Sequence, residues 1–269
     1  MRVFVISDME GVAGITKWEQ VDGGEPLYEE GRRLYTEEIN AAVRGAYSAG
    51  ATEVVVMDCH GAGKGWTFNS LIPEALDERC EWIVQREWTE YTRFLEDGCD
   101  AALFIAMHAK AGTRDGVLSH TVSGTEWREL KFNGTSVGET GINAALCGTW
   151  DCPVLLVTGD RATCAEGRAL LGDGLTTVEV KEGFGRYSAR HISPARARER
   201  VEAGVVTALS NLQAVKPYDP GTPCVIEVEL SSPDATEPYR FRHGVELKGE
   251  STIVSSAATW WEAWKQFYF

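Results

Sequence analysis

A chain of 269 residues with 43% apolar side chains and repeated amphipathic segments is long enough to bury a full core, which excludes a disordered or fibrous protein. Forty acidic against 26 basic side chains give a formal charge of -14, which repels phosphate backbones and anionic membrane surfaces and argues against binding nucleic acid. No apolar run approaches the roughly 20 residues that span a bilayer, and the cysteines at 59, 80, 99, 147, 152, 164 and 224 never form a C-x-x-C pair, so zinc-finger and thioredoxin readings both fail.

The N-terminal stretch runs straight into a strand and reaches Asp8 without the apolar core or cleavage site of a signal peptide. A cytoplasmic protein with reduced, mostly buried thiols is the expectation.

In chain order, β-branched apolar runs predict strands at Arg2–Ser7, Glu53–Asp58, Glu81–Val84, Ala101–Met107 and Pro153–Thr158. Helical stretches separate most of them. The longest, Tyr28 to Ser48, carries Leu34, Ile39, Ala42, Val43 and Ala46 at near-helical spacing and stops at Gly50. Between His120 and Glu139 the period changes: Glu126–Phe132, Asn133-Gly134 and Thr135–Val137 predict a hairpin with a tight turn. Beyond about residue 185 the pattern is less regular. Ser193-Pro194 opens a helix reaching about Leu212, strands follow near Cys224–Leu230 and Tyr239–Arg242, and a Trp-rich helix spans Ala257–Phe267. The expected fold is α/β, a mainly parallel sheet flanked by helices, with a smaller C-terminal α+β region. Residues 1–190 would form the metal-binding catalytic domain and 191–269 the second domain. Trp260, Trp261, Trp264, Phe267 and Phe269 are expected in a core or subunit contact rather than against a ligand.

Ligands in such sheets bind beyond the carboxyl ends of the strands, so the residues just after each strand carry the chemistry. Asp8 and Glu10 follow the first strand, Asp58 and His60 the second and His108 the fourth, while Glu139 opens the helix after the hairpin. Carboxylate and imidazole gathered at one sheet edge from four places in sequence are hard or borderline metal ligands. Asp8 and Glu10, two apart on a strand, share one face, and Gly11 permits a sharp bend after them. His120 lies a short loop from His108, placed to face metals without binding them, to serve as a further ligand, or to be a plain loop residue. His191 and His243 have no ligand types nearby and are read as structural. Gly61-Ala-Gly-Lys-Gly65 lacks phosphate-loop spacing and reads as a flexible rim beside His60.

Ser7-Asp8-Met9-Glu10-Gly11 resembles the S-x-D-x-E-G signature of the zinc-dependent D-aminopeptidases. Asp58-Cys59-His60, Ala106-Met107-His108-Ala109, Gly116-Val117-Leu118-Ser119-His120 and Val137-Gly138-Glu139-Thr140-Gly141-Ile142-Asn143-Ala144 resemble that family's blocks in the same order. Val154–Asp160 and Ser193-Pro194-Ala195 extend the likeness over most of the chain, thinning after about residue 215. The resemblance implies two Zn2+ per subunit: Asp8 bridging, Glu10 and His108 completing one metal, His60 and Glu139 the other. It implies that His120 is the catalytic histidine, described in the family as a nucleophile, and that subunits form a homodecamer of stacked pentameric rings around an internal chamber. Cys59 departs from the family's serine and is not counted as a ligand.

The function so implied is a metallo-aminopeptidase acting on short peptides with small N-terminal residues, of D configuration in the family. General acid–base work is the milder chemistry for an imidazole at position 120. Another two-metal hydrolase, an amidase or a phosphoesterase, is the alternative on the same ligands; phosphate chemistry would need Lys64, Lys110 or Arg114 near the metals. A non-catalytic peptide-binding ring is the third reading, and the intact ligand set argues against it.

Overall fold

The computed structural model describes residues 1–85 and 92–268. Its first sheet takes β1 (Arg2–Ser7), β2 (Glu53–Asp58), β3 (Glu81–Ile83), β4 (Ala101–Met107), β7 (Val154–Asp160), β8 (Thr176–Gly185) and β9 (Ser188–His191). The second takes β5 (Trp127–Phe132), β6 (Thr135–Val137), β10 (Cys224–Leu230), β11 (Val245–Lys248) and β12 (Thr252–Ala257). The helices are α1 (Tyr28–Ser48), α2 (Arg93–Glu96), α3 (Glu139–Thr149), α4 (Arg161–Leu171), α5 (Pro194–Leu209) and α6 (Trp260–Tyr268).

The first sheet has the order β3-β2-β1-β4-β7-β8-β9 and is parallel except for β9. Its central strands are near-continuous apolar runs, buried along β4 and β7, as expected for strands covered on both faces. From β1 the chain winds outward through β2 to β3, then restarts on the other side of β1 with β4. Right-handed crossovers therefore put α3 and α4 on the face opposite α1, against which α5 packs. The point of reversal between β1 and β4 opens a crevice at the strands' carboxyl ends, where Asp8, Glu10 and His108 emerge.

The second sheet, β11-β12-β10-β5-β6, is antiparallel throughout. Cys224, Ile226, Val228 and Leu230 alternate inward along β10, and α6 closes over them. Trp260 and Trp264 stack at 5.4 Å, and Trp127 meets Phe267 at 6.2 Å. The C-terminal aromatics thus form the core expected of them, Phe269 lying outside the described residues. The sheets do not divide the chain at residue 190: the hairpin β5–β6 belongs to the second sheet, and α5 belongs to the first.

Three local expectations need correction. Residues Tyr239–Arg242 are not a strand, because Pro233 and Pro238 favour the short 3-10 helix Asp234–Tyr239 and the hairpin partners are instead β11 and β12, joined through Gly249. Ala257 ends β12 rather than starting the last helix. The strand β8, in a stretch to which no element was assigned, and its antiparallel partner β9, in the part read as less regular, were not expected; they complete the first sheet.

The crevice depends on backbone approaching backbone. Gly11 donates its N–H to the Ala106 carbonyl at 2.8 Å, and a Cβ on Gly11 would sit 2.2 Å from the Met107 oxygen. Ala106 itself takes φ 61°, and the β4–β7 register shifts there, turning the chain so that His108 faces the crevice. Gly11→Ala is expected to lower stability by at least about 3 kcal/mol, because the obstacle is backbone that cannot rotate away. Urea unfolding checks it, and a midpoint within error of wild type would contradict the packing described.

Candidate active site

His60 donates from Nε2 to the Val21 carbonyl at 2.8 Å, which fixes that nitrogen as the protonated one. Its Nδ1 then faces Asp8 Oδ1 and Glu10 Oε2, both at 3.1 Å. His108 repeats the pattern with the nitrogens exchanged: Nδ1 donates to the Ala109 carbonyl at 3.0 Å, and Nε2 faces Asp8 Oδ2 at 3.2 Å and Glu139 Oε1 at 3.3 Å. Asp8 stands between the two histidines, one oxygen toward each.

In neutral rings these contacts set lone pair against lone pair. Glu10 Oε2 and His108 Nε2 are buried and hydrogen-bond to nothing among the described residues. A cation between them resolves the conflict, and the donor set of carboxylate oxygen and imidazole nitrogen suits a divalent metal. Two groups of ligand atoms lie within 4.8 Å of one another: Asp8, Glu10 and His108, and His108, His120 and Glu139. Carbonyl-anchored imidazoles of this kind are how proteins orient metal-binding histidines.

The electrostatics report the same need for positive charge. Burial alone would lower the His60 pKa, yet Glu10 and Asp8 hold it well above its ordinary value. Burial likewise opposes protonation of His108, which Glu139 and Asp8 hold well up. Burial would raise the Asp8 carboxyl, but His108 and His60 keep it well below the usual carboxylate range.

His120 is set apart. Its ring stacks on His108 at 4.0 Å, Nδ1 donates to the Leu118 carbonyl at 2.9 Å, and Nε2 stands 3.8 Å from Glu139 Oε1. Its side chain is 13% exposed against 1% for His108, so His120 meets the cavity while His108 lies behind it. Leu118 and Val122 flank it with φ of 52° and 59°, strained for non-glycine residues, and the Val122 N–H donates to Glu139 Oε1 at 2.8 Å.

All six residues singled out in the sequence come together. Asp58, which also follows a strand, is employed otherwise: it accepts from the N–H groups of His60, Ser70 and Leu71 and from the Tyr35 hydroxyl, shaping the loop that carries His60. Burial, followed by Asp58 and Asp8, pushes the Cys59 thiol well up, leaving it a poor ligand. His191 accepts the Gly14 N–H on Nδ1, and burial with Lys181 nearby lowers its pKa to about 4, so it is a neutral structural residue.

Sequence reasoning missed Lys181 and the wall of the cavity. Lys181 is buried beneath the bend after β1, donating to the carbonyls of Glu10, Val12 and Ile15, and so fixes the loop that presents Glu10. Its place in β8, next to the inward Val180, gave no signal. A cavity of about 580 Å³ lies over the cluster, and Trp18, Asp22, Arg186 and Trp264 help to line it. Trp264 thus serves both the core and the cavity wall, and Tyr268 joins it there.

The cluster and its cavity, set at the reversal point of a parallel sheet, define a metal-ligating α/β site of hydrolase type. The chain belongs to the D-aminopeptidase family, whose profile it matches over residues 1–269. It is 33% identical over 261 residues to the D-aminopeptidase of Bacillus subtilis strain 168, covering 96% of this chain and 92% of that protein. The fold superposes with a TM-score of 0.91 at 32% identity on the Zn-dependent D-aminopeptidase DppA from Bacillus subtilis, a self-compartmentalizing protease, covering 99% of this chain and 95% of that one. Among the described residues no helix is long and apolar enough to cross a membrane.

Glu38 lies next to this apparatus, accepting from the Ala13 N–H, and burial raises its pKa to about 7 from an ordinary 4.5. Below the ordinary value both folded and unfolded chains hold the proton and the group costs nothing. As pH rises the unfolded chain ionises first, so the folded state loses roughly 3 kcal/mol by about pH 7. Glu38→Gln is therefore expected to gain stability relative to wild type between pH 5 and pH 8, as read by urea unfolding at both; a difference independent of pH would contradict it.

Proposed function

We propose that this chain is a zinc-dependent aminopeptidase that removes small N-terminal residues, of D configuration, from short peptides. The observation that carries the proposal is the burial of His60 and His108 with one ring nitrogen each 3.1–3.3 Å from carboxylate oxygens of Asp8, Glu10 and Glu139. Two zinc ions fit this donor set. Asp8, Glu10, His60, His108 and Glu139 would hold them, with Asp8 facing both histidines. The ions would supply Lewis acidity to the scissile carbonyl and to the attacking water.

The chain's own residues do the remainder. His120 holds its Nδ1 proton on Leu118 and offers Nε2 to the cavity, where it passes a proton to the leaving amine as a general acid–base. Asp22, half-buried near Glu10 and His60, is placed to receive the substrate's free ammonium group, which sets cleavage at the first residue. Burial, with Glu10 adding to it, raises the Asp22 pKa. Trp264, Tyr268 and Phe68 supply apolar wall for a small side chain. Of the cations a phosphoesterase reading named from the sequence, Lys64 pairs with Glu25, Lys110 with Ser136, and neither they nor Arg114 are among the cavity's described lining residues, where Arg186 is the one lysine or arginine. Seven free thiols suit a reducing, cytoplasmic setting, and a self-compartmentalizing relative supports a homo-oligomer, for which the family resemblance implies a decamer of stacked pentameric rings.

The test is zinc content together with hydrolysis of matched D-Ala and L-Ala p-nitroanilides. About two zinc ions per chain, turnover of the D substrate and its loss on chelation are the expected results. His120→Ala should retain zinc while kcat falls roughly 10²- to 10⁴-fold. Full activity in metal-free protein would overturn the proposal.

A further inference from the structure

The cavity is electrically lopsided. Asp8, Glu10, Asp22 and Glu139 line one part of it, and Arg186 is the sole lysine or arginine among its described lining residues. Arg186 stands in the turn between β8 and β9, on a backbone held by its carbonyl accepting the Leu118 N–H at 2.8 Å. That bond ties the turn to the loop carrying His120.

The side chain lies beside two aromatic rings and has no ion-pair partner among the described residues. Its guanidinium carbon lies 5.4 Å from the centre of the Trp18 ring and 5.7 Å from that of Tyr187. No carboxylate of the described residues forms an ion pair with it; Nη1 reaches the Tyr187 hydroxyl only at 3.4 Å, and Nε is buried without a partner. Elsewhere in the chain arginines near acids pair with them, as Arg2 does with Glu53 and Arg44 with Glu202. A partly desolvated guanidinium without an anion is costly, and one facing a substrate cavity gains its partner when an anionic ligand enters.

The distance to the chemistry is short. The Trp18 ring that carries the guanidinium also meets His120 edge-on, with centroids 5.5 Å apart. One indole therefore separates the fork of Arg186 from the imidazole. An extended peptide advances at most about 3.3–3.6 Å per residue, so with the scissile carbonyl beside His120 and the ammonium toward the acidic part, a carboxylate one or two residues downstream arrives at the guanidinium.

We propose that Arg186 binds the terminal carboxylate of the substrate and so selects free di- and tripeptides over longer or C-terminally blocked chains. This rests on the aminopeptidase reading and adds to it the length and the charge of the substrate. The planar fork can donate two parallel hydrogen bonds to a carboxylate, and the Trp18 ring beside it restricts where it can lie beforehand.

The experiment compares D-alanylglycine with D-alanylglycinamide on zinc-loaded enzyme. Wild type should favour the free acid in kcat/KM by roughly 10- to 100-fold, chiefly through KM, as loss of a charge-assisted pair at a partly buried site implies. In Arg186→Met that ratio should fall to near one, and Arg186→Lys, which keeps the charge without the fork, should lie between. Calorimetric titration of both ligands into zinc-loaded His120→Ala should give the same preference without turnover. Absence of hydrolysis with that binding preference intact would count against the aminopeptidase reading alone and support the assignment of Arg186. A wild-type ratio near one, or a ratio unchanged in Arg186→Met, would overturn the assignment.

Discussion

Two imidazoles and three carboxylates cannot share a dry pocket with their lone pairs converging unless positive charge lies among them. Here the convergence is enforced from outside. The Val21 and Ala109 carbonyls each capture the one proton a neutral ring has to give, so His60 and His108 must present bare nitrogen to Asp8, Glu10 and Glu139. The surrounding fold keeps that unfavourable arrangement ready, and a metal ion would turn repulsion into coordination.

The scaffold does this with rigid parts. Ligands leave β1 and β4 on either side of the sheet's reversal point, where backbone already spreads apart. Gly11 lets the bend after β1 touch the end of β4, and Lys181 binds three carbonyls of that bend from below. The lysine is an unusual keystone: its ammonium is hydrogen-bonded by peptide carbonyls rather than by a carboxylate, and burial lowers its pKa to about 8, against which the nearby charges of Asp160, Glu38 and Glu10 act. Below that value the ammonium can donate all three protons to the carbonyls.

What the sequence disclosed follows from what sequence records. Strands β1, β2 and β4 are apolar runs with polar residues directly after them, so both their limits and the candidate ligands that follow them could be read from spacing. The α/β class followed from their alternation with helices. β8 was missed because Thr176, Glu179 and Lys181 dilute its apolar content, and its partner β9 carries an alternation too short to register. The cavity wall was illegible for another reason. Trp18 lies in the short 3-10 helix Trp18–Gln20, Arg186 in a turn and Trp264 on a helix of the second sheet, and nothing local to any of them says that they converge. Metal ligands sit where strands end, whereas wall residues sit where tertiary packing happens to bring them.

The hairpin β5–β6 lies between His120 and Glu139 in the chain, yet β5 takes its second partner, β10, from about ninety residues further on. A fragment ending at residue 190 would therefore retain every residue proposed to hold metal and still not be a minimal enzyme. Truncation would leave β5 as an open edge with unmatched amides, invite strand addition between molecules, and uncover the face of α1 on which α5 lies. The C-terminal part, which supplies none of the residues proposed to hold metal, is what keeps the rest of the chain from pairing through an open edge.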